Sequence, residues 1–364
     1  MSISKAEKNL PKKFRNEVIR LIHSNNRLAH RKNGKPAARL CALDTTKDRE
    51  GVILLAFASL WEMGYKLTKP TNLAEKHINA LAECWKDEGL ADRTKYKRMS
   101  ILRVFCKWIG KPGLVKNTIH YYGPELIRNV CATKNLTWEA HGIDVDGAIQ
   151  KATALDERFG LMLSLQRYFG LRIKESIHLA PHRAMPPGSI YLMVSDGTKG
   201  GRPRFVPIET ERQRQIMEWA KRITTPSPKS TLRWPRLTWT QSERKFNALM
   251  DRLGYTKKGS GVTAHGLRHA YAQDSYHGLT GLPTPIEGGA LGRIDRETHR
   301  EANEEVSRRL GHNRADVTGF YYGSYGHKLR ESVTDRMLRR AEAIELPEKK
   351  PPRTRKPKPT TKGE

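Results

Sequence analysis

The sequence predicts a mainly helical chain of two domains, with one small β-hairpin confined to the second. Three observations carry that reading. At 364 residues the chain is long enough for two ordinary domains, each with its own core. Apolar residues recur at helical steps through much of both halves. A single stretch has the look of a hairpin: SIYLMV has strand-forming composition, SDGTKGG is a turn signal, and RFVPI is the return strand.

The first domain is expected over residues 1–145, as helices punctuated at HRKNGKP, LTKPTN and GKPGLVKN. Within RTKYKRMSILRVFCKWIG, Met99, Leu102, Cys106 and Ile109 fall at steps of three and four and form one apolar stripe. Lys95, Lys97, Arg103 and Lys107 lie largely off that stripe. NLTWEAHGIDVDGAIQ reads as the link between the halves. The second domain, 150–345, opens with the apolar helix LDERFGLMLSLQRYFG, ended by Gly170, runs through the hairpin and resumes helix at ERQRQIMEWAKR. GLTGLPTPIEGGALGRIDRETHRE, near residues 278–301, reads as an inserted loop rich in Gly and Pro. In KLRESVTDRMLRRAEAI, Leu329, Val333, Met337, Ala341 and Ile344 fall at helical steps, so that helix packs on its own domain or on a neighbouring protomer. Residues 349–364, with four prolines, seven basic residues and one acidic, read as a disordered basic tail.

Sixty-seven Lys and Arg against 38 Asp and Glu give a net charge of +29. A surplus that large repels itself unless a polyanion is present, and nucleic acid is the usual partner. Lys12, Lys13, Arg15, Arg27, Arg31, Lys32, Lys35 and Arg39 add to the helical basic face in the first half, which then reads as a phosphate-gripping domain. The longest apolar stretch, GVILLAFASLWEMGY, is too short to span a bilayer, and MSISKAEKNLPKKFRNEV lacks the apolar segment of a secretory signal, so a cytoplasmic location is the default expectation. Cys41, Cys84, Cys106 and Cys131 are widely spaced with no CxxC, which argues against a zinc ribbon or a disulfide framework.

Four stretches of the second half carry residues suited to a phosphodiester. GLRIKES supplies Arg172 between two helices, with Glu175 three residues on to orient it. TKGGRPRFVPI puts Lys199 at a hairpin tip. AHGLRHAYAQ sets His265 and Arg268 at i and i+3, on one helical face. His269 gives the same helix an i, i+4 histidine pair, but it lacks the Glu of HExxH and no third ligand stands out, so no metal is expected. RRLGHNRADVTGFYYG supplies His312 and two adjacent tyrosines. Each stretch alone is a weak signal.

Their order is not. Arg, hairpin Lys, HxxR, LGH, then Tyr nine residues later resembles the tyrosine recombinases, or phage-type integrases, over about residues 150–330. The first half resembles that family's helical core-binding domain only in outline. The resemblance implies a helical core-binding domain followed by a mixed α+β catalytic domain, together closing around duplex DNA. It implies that Tyr321 attacks the scissile phosphate to form a 3′-phosphotyrosyl bond. Arg172 and Arg268 then hold the non-bridging oxygens, His265 handles the tyrosine proton, Lys199 protonates the leaving 5′-oxygen, and His312 donates to the phosphate. Chemistry supports such a set, because guanidinium forks match phosphate oxygens and a phenol with a pKa near 10 needs a cationic or basic setting to react at neutral pH. Five such donors need no metal or other cofactor.

The His312-to-Tyr321 spacing favours Tyr321 over Tyr322 and Tyr325. The implied activity is site-specific recombination of a mobile element through a Holliday junction. The implied partners are double-stranded DNA at attachment sites, three further protomers in a homotetramer, and accessory DNA-bending or directionality proteins, with the enzyme on the nucleoid when bound. Two rivals remain at this stage: a type IB topoisomerase-like enzyme that relaxes DNA, and a DNA-binding regulator that does not cut.

Overall fold

The computed structural model describes residues 9–26, 41–123, 131–198, 201–289, 294–312 and 314–325. The chain divides into two compact units, Met1–Val130 and Cys131–Glu364. Helices dominate both, and the second carries a two-stranded antiparallel sheet.

The first unit holds α1 (Lys12–Asn25), α2 (Leu43–Glu62), α3 (Glu75–Asp87), α4 (Asp92–Trp108) and the short α5 (Thr118–Tyr122). The apolar run in α2 buries every residue from Ile53 to Leu60, so this helix is the bundle's centre. Around it α1 contributes Phe14, Val18 and Ile22, α3 contributes Ile78, Leu81 and Trp85, and α4 contributes Met99, Leu102, Phe105 and Cys106. Ile109, the last residue of the expected stripe, is half-buried just past the end of α4. Phe57 stacks edge-on against both Phe14 and Phe105, with ring centres 5.3 and 5.5 Å away. Such pairs contribute about 1 kcal/mol each beyond the burial of the rings.

The second unit holds α6 (Val145–Leu155), α7 (Glu157–Phe169), α8 (Ile173–His178), α9 (Pro181–Ala184), β1 (Tyr191–Val194) and β2 (Arg204–Pro207). It continues with α10 (Glu211–Arg222), α11 (Trp239–Arg252), α12 (Ala264–Thr280), α13 (Arg296–Arg309) and α14 (Gly319–Tyr322). α7 is the core helix, buried continuously from Phe159 to Gln166, and it packs against α6, α8, α10 and α12. Its start is fixed by Asp156, whose carboxylate accepts from the Phe159 amide at 3.0 Å. The strands pair Leu192 with Val206 and Val194 with Arg204. Alternation puts Leu192, Val194, Arg204 and Val206 on the buried face and Tyr191 and Phe205 in solvent.

Two stretches differ from the sequence expectation. NLTWEAHGIDVDGAIQ is not a free link. Trp138 is fully buried in the core of the second unit and donates from Nε1 to the carbonyl of Thr263 at 2.8 Å. Gly266 of α12 makes room for it, since a Cβ there would come within 2.5 Å of the Leu136 carbonyl oxygen. One large aromatic among polar residues was enough to anchor a segment whose composition reads as a connector.

The stretch around 278–301 is not wholly a loop either. α12 runs on to Thr280, and α13 starts at Arg296, where Asp295 accepts from the amides of Glu297 and Thr298, each at 2.9 Å. Apart from Gly278 in α12, the Gly and Pro residues of the stretch fall between these two helix ends. Among the described residues no helix is long and apolar enough to cross a membrane. Lys199, the five basic residues from Arg27 to Arg39, the helical pattern from Leu329 to Ile344 and the tail at 349–364 lie outside the described residues.

Candidate active site

Arg172 occupies the N-cap of α8, directly after the turn that ends α7. Glu175, in the first turn of α8, reaches back to it. One carboxylate oxygen accepts from the Arg172 backbone N–H at 2.8 Å and the other from Nη1 at 2.7 Å. The motif GLRIKES is thus a capping turn that holds its own arginine.

Glu175 has no exposed surface. A buried carboxylate is costly unless paired, and its main partner comes from β2. Arg204 donates Nη1 to Oε1 at 2.8 Å and Nη2 to Oε2 at 2.7 Å, a fork-to-fork pair. Arg268 adds a third positive charge, 3.7 Å from Oε2. Burial by itself would raise the carboxyl's pKa, but hydrogen bonds and charge from Arg204, then the charges of Arg268 and Arg172, hold it at about 2.

Arg268, in the second turn of α12, is likewise fully buried. Its Nη1 and Nη2 donate to the carbonyls of Gly170 and Leu310, which follow the ends of α7 and α13. Helix C-termini carry partial negative charge and unpaired carbonyls, so they accommodate a buried guanidinium. Its remaining nitrogen, Nε, donates to the Tyr321 hydroxyl at 3.1 Å. Burial lowers the Arg268 pKa to about 10, which leaves it cationic at neutral pH.

The same hydroxyl lies 3.0 Å from His312 Nε2. That nitrogen also faces Arg172 Nη2 at 3.4 Å and Arg268 Nη2 at 3.5 Å. Guanidinium nitrogens can only donate, so the arrangement fits a His312 tautomer that accepts at Nε2, with the Tyr321 O–H donating to it. The Tyr321 ring is flanked by His265, His269 and His312, with ring centres 5.7, 5.0 and 5.8 Å away. His269 also bonds the Tyr321 backbone carbonyl through Nδ1 at 3.1 Å.

His265 stands at the solvent face of this cluster. Desolvation by the surrounding protein, followed by repulsion from His269, Arg268, Arg172 and His312, lowers its pKa, so the imidazole is neutral at pH 7.

Tyr322 faces the other way. It is fully buried against Tyr276, with ring centres 5.2 Å apart, and its hydroxyl donates to Asn303 Oδ1 at 2.7 Å. Burial pushes its pKa above the ordinary tyrosine range. Successive side chains on a helix diverge by about 100°, and α14 spends that divergence by putting one phenol in the cationic cluster and the next in the core. Tyr325 is outside the cluster, donating to the Pro283 carbonyl at 3.0 Å.

Arg172, Glu175, His265, Arg268, His312 and Tyr321 therefore converge, while Lys199 lies outside the described residues and only its flanking strands are seen. Sequence reasoning assigned no role to Arg204, to Asn303, or to His269 beyond a dismissed metal pair. Strand alternation in RFVPI, which puts Arg204 on the same side as Val206, was the signal available for the first. In the other unit, three of the four expected DNA-facing residues of α4 have partners within the chain. Lys95 pairs with Asp92 at 3.5 Å and Lys97 with Asp48 at 2.8 Å. Arg103 is half-buried and donates to the Lys116 carbonyl and to Thr118 Oγ1 at 2.9 Å. Lys107 is exposed.

A family model described as integrase matches residues 133–274, and one described as phage integrase, N-terminal, matches residues 25–115. The first takes in Arg172, Lys199, His265 and Arg268 and stops short of His312 and Tyr321. No curated protein matches the chain in sequence. Among solved structures, the chain is similar to the Tn1549 transposon integrase in complex with transposon right end DNA, at 14% identity and a TM-score of 0.55 over 88% of this chain and 99% of that one. It is similar to a lambda integrase dimer bound to a COC′ core site, at 16% identity and a TM-score of 0.53 over 86% of this chain and 77% of that one. A lambda integrase tetramer bound to a Holliday junction matches at 17% identity and a TM-score of 0.51, over 82% and 77%. These likenesses are of fold.

Proposed function

Because the chain belongs to the phage-type integrase family of tyrosine recombinases, enzymes that break and rejoin DNA strands, we propose that it is a site-specific recombinase whose nucleophile is Tyr321. The observation that carries this reading is the Tyr321 hydroxyl held between Arg268 Nε at 3.1 Å and His312 Nε2 at 3.0 Å, with Arg172 beside them.

The scissile phosphate of double-stranded DNA binds where Arg172, Arg268 and His312 meet. The two guanidinium groups match its non-bridging oxygens and stabilise the charge that builds on them in the transition state. As the phosphate draws His312 off the phenol, Tyr321 gives its proton to His265, which is neutral before the phosphate arrives and gains basicity from the phosphate's negative charge. The phenolate oxygen attacks phosphorus, the bond to the 5′-oxygen breaks, and Lys199 gives that oxygen its proton. The product is a 3′-phosphotyrosyl bond that retains the energy of the phosphodiester. A 5′-hydroxyl from a partner duplex then attacks it, so strands exchange through a Holliday junction without ATP.

In this account the second unit performs the chemistry, the first grips the duplex, and four protomers assemble on two attachment sites with accessory DNA-bending or directionality proteins. The test is a plasmid carrying two copies of the element's attachment sequence, incubated with the protein in EDTA. Recombinant circles and a branched junction intermediate are expected. Relaxation of supercoils irrespective of sequence would make the protein topoisomerase-like, and binding with no strand cut would make it a regulator.

A further inference from the structure

Arg204 sits beside the proposed chemistry with every side-chain nitrogen already committed. Nη1 and Nη2 hold the two oxygens of Glu175, and Nε donates to the carbonyl of Arg309 at 2.9 Å. Its side chain is 4% exposed, so no donor is left for a phosphate. Glu175 in turn holds both the backbone and the guanidinium of Arg172. Arg309 lies three residues before His312, at the end of α13. The intervening Gly311 fits against the Arg204 stem: a Cβ there would fall 2.9 Å from Cδ and 3.2 Å from Nη1.

We infer that Arg204 is a positioning residue that locks three motifs of the site into one geometry: the arginine turn through Glu175, the lysine hairpin through β2, and the Leu-Gly-His segment through the Arg309 carbonyl. The inference rests on the function proposed above. Gly311 is already called for by its left-handed backbone, with φ +71° after the end of α13, and the room it leaves for the Arg204 stem is a second reason. A positioning role also separates Arg204 from Arg172 and Arg268, which keep nitrogens directed at His312 and Tyr321.

The charge balance makes the role testable. Glu175 is faced by Arg172 from its own turn, by Arg204 from β2 and by Arg268 from α12. Beyond Arg204, Arg309 of α13 is spent on Glu209 and Glu305, at 2.8 Å each, and is not free to replace it. Without Arg204 the buried carboxylate loses two hydrogen bonds and one of its two nearest charges, so it takes up a proton at a higher pH. Protonated, it no longer holds Arg172 in register.

The experiment measures covalent adduct formation on a nicked suicide duplex from pH 6 to 9.5 for the wild type, Arg204→Gln, Arg204→Lys, Glu175→Gln and the Arg204→Gln/Glu175→Gln double variant. Arg204→Gln is expected to lose roughly 10- to 100-fold in cleavage at pH 7 while still binding DNA, and to recover as pH rises. The double variant is expected to lack that rising limb and to be no slower at pH 7 than the worse single variant. An Arg204→Gln profile parallel to the wild type would overturn the inference. Should Arg204→Gln fail to fold, Arg204→Lys decides: it keeps the charge without the fork, and cleavage at the wild-type rate would overturn the inference, whereas a loss with DNA binding intact supports it. A second readout is independent of cutting. Carboxyl carbon NMR of the free protein, with Glu175→Gln for assignment, should show Glu175 titrating far below the ordinary range in the wild type and above it in Arg204→Gln. That shift without any wild-type adduct would retain the Arg204–Glu175 coupling and reject the recombinase reading; no shift would reject the coupling.

Discussion

At residue 175 a carboxylate with no exposed surface meets three arginines, and the pH behaviour of the fold follows from it. Its folded pKa of about 2 lies below the ordinary 4.5. Stability from this group is therefore fully present above about pH 4.5 and is lost as pH falls through about 2, an effect on the order of 3 kcal/mol. Thermal melts from pH 7 to 2 should show Glu175→Gln less stable than the wild type at neutral pH, with the gap closing as acid is added. A constant gap would remove Glu175 from the acid response. Much of this site was legible from short spacings. Arg172 to Glu175, His265 to Arg268 and His312 to Tyr321 each lie on or next to one local element, where sequence distance translates into geometry. Arg204 was not, because its partner Glu175 lies 29 residues away and a basic residue beside a hairpin turn ordinarily faces solvent.

Among the elements, α13 is the one whose contribution the sequence hid. Its Asn303 accepts from Tyr322 at 2.7 Å and from Thr318 at 3.1 Å, on either side of Tyr321, while its amide bonds His299 Nε2 at 3.0 Å. His299 Nδ1 in turn bonds the Tyr276 hydroxyl at 2.8 Å. A helix that begins in the Gly- and Pro-rich stretch thus fixes the segment bearing the nucleophile. Asn303→Ala would leave the buried Tyr322 hydroxyl without its acceptor, costing about 1–3 kcal/mol. We expect the covalent cleavage rate to fall more than DNA affinity does, measured on the same duplex. Equal losses in both would mean that Asn303 only supports the fold. No short motif marks Asn303, since its meaning depends on two side chains 15 and 19 residues further on. The hairpin, by contrast, was legible because alternation and a turn signal are both local, and α4 was legible from its apolar stripe.

For the whole molecule, the +29 charge is the property most easily tested. If both units contact phosphates, six to ten contacts in all, affinity for duplex DNA should fall by about 10³-fold or more between 50 and 200 mM salt. A shallow salt dependence in a filter-binding or fluorescence titration would mean that most of the basic residues do not touch DNA. The in-chain partners of Lys95, Lys97 and Arg103 already show that a basic helix face is not automatically a free one. The division into two units was legible from length and periodicity. Its position was not: the described residues from Cys131 onward belong with the second unit, because Trp138 buries itself there.

The central claim is that Tyr321, and not its neighbour, becomes joined to DNA. It is tested most directly by trapping the adduct on a nicked suicide duplex in EDTA and sequencing the DNA-linked peptide by mass spectrometry. The account predicts a denaturant-stable band whose DNA is attached at Tyr321, absent in Tyr321→Phe and present in Tyr322→Phe. Attachment at Tyr322, or no adduct on DNA that the protein binds, would contradict it.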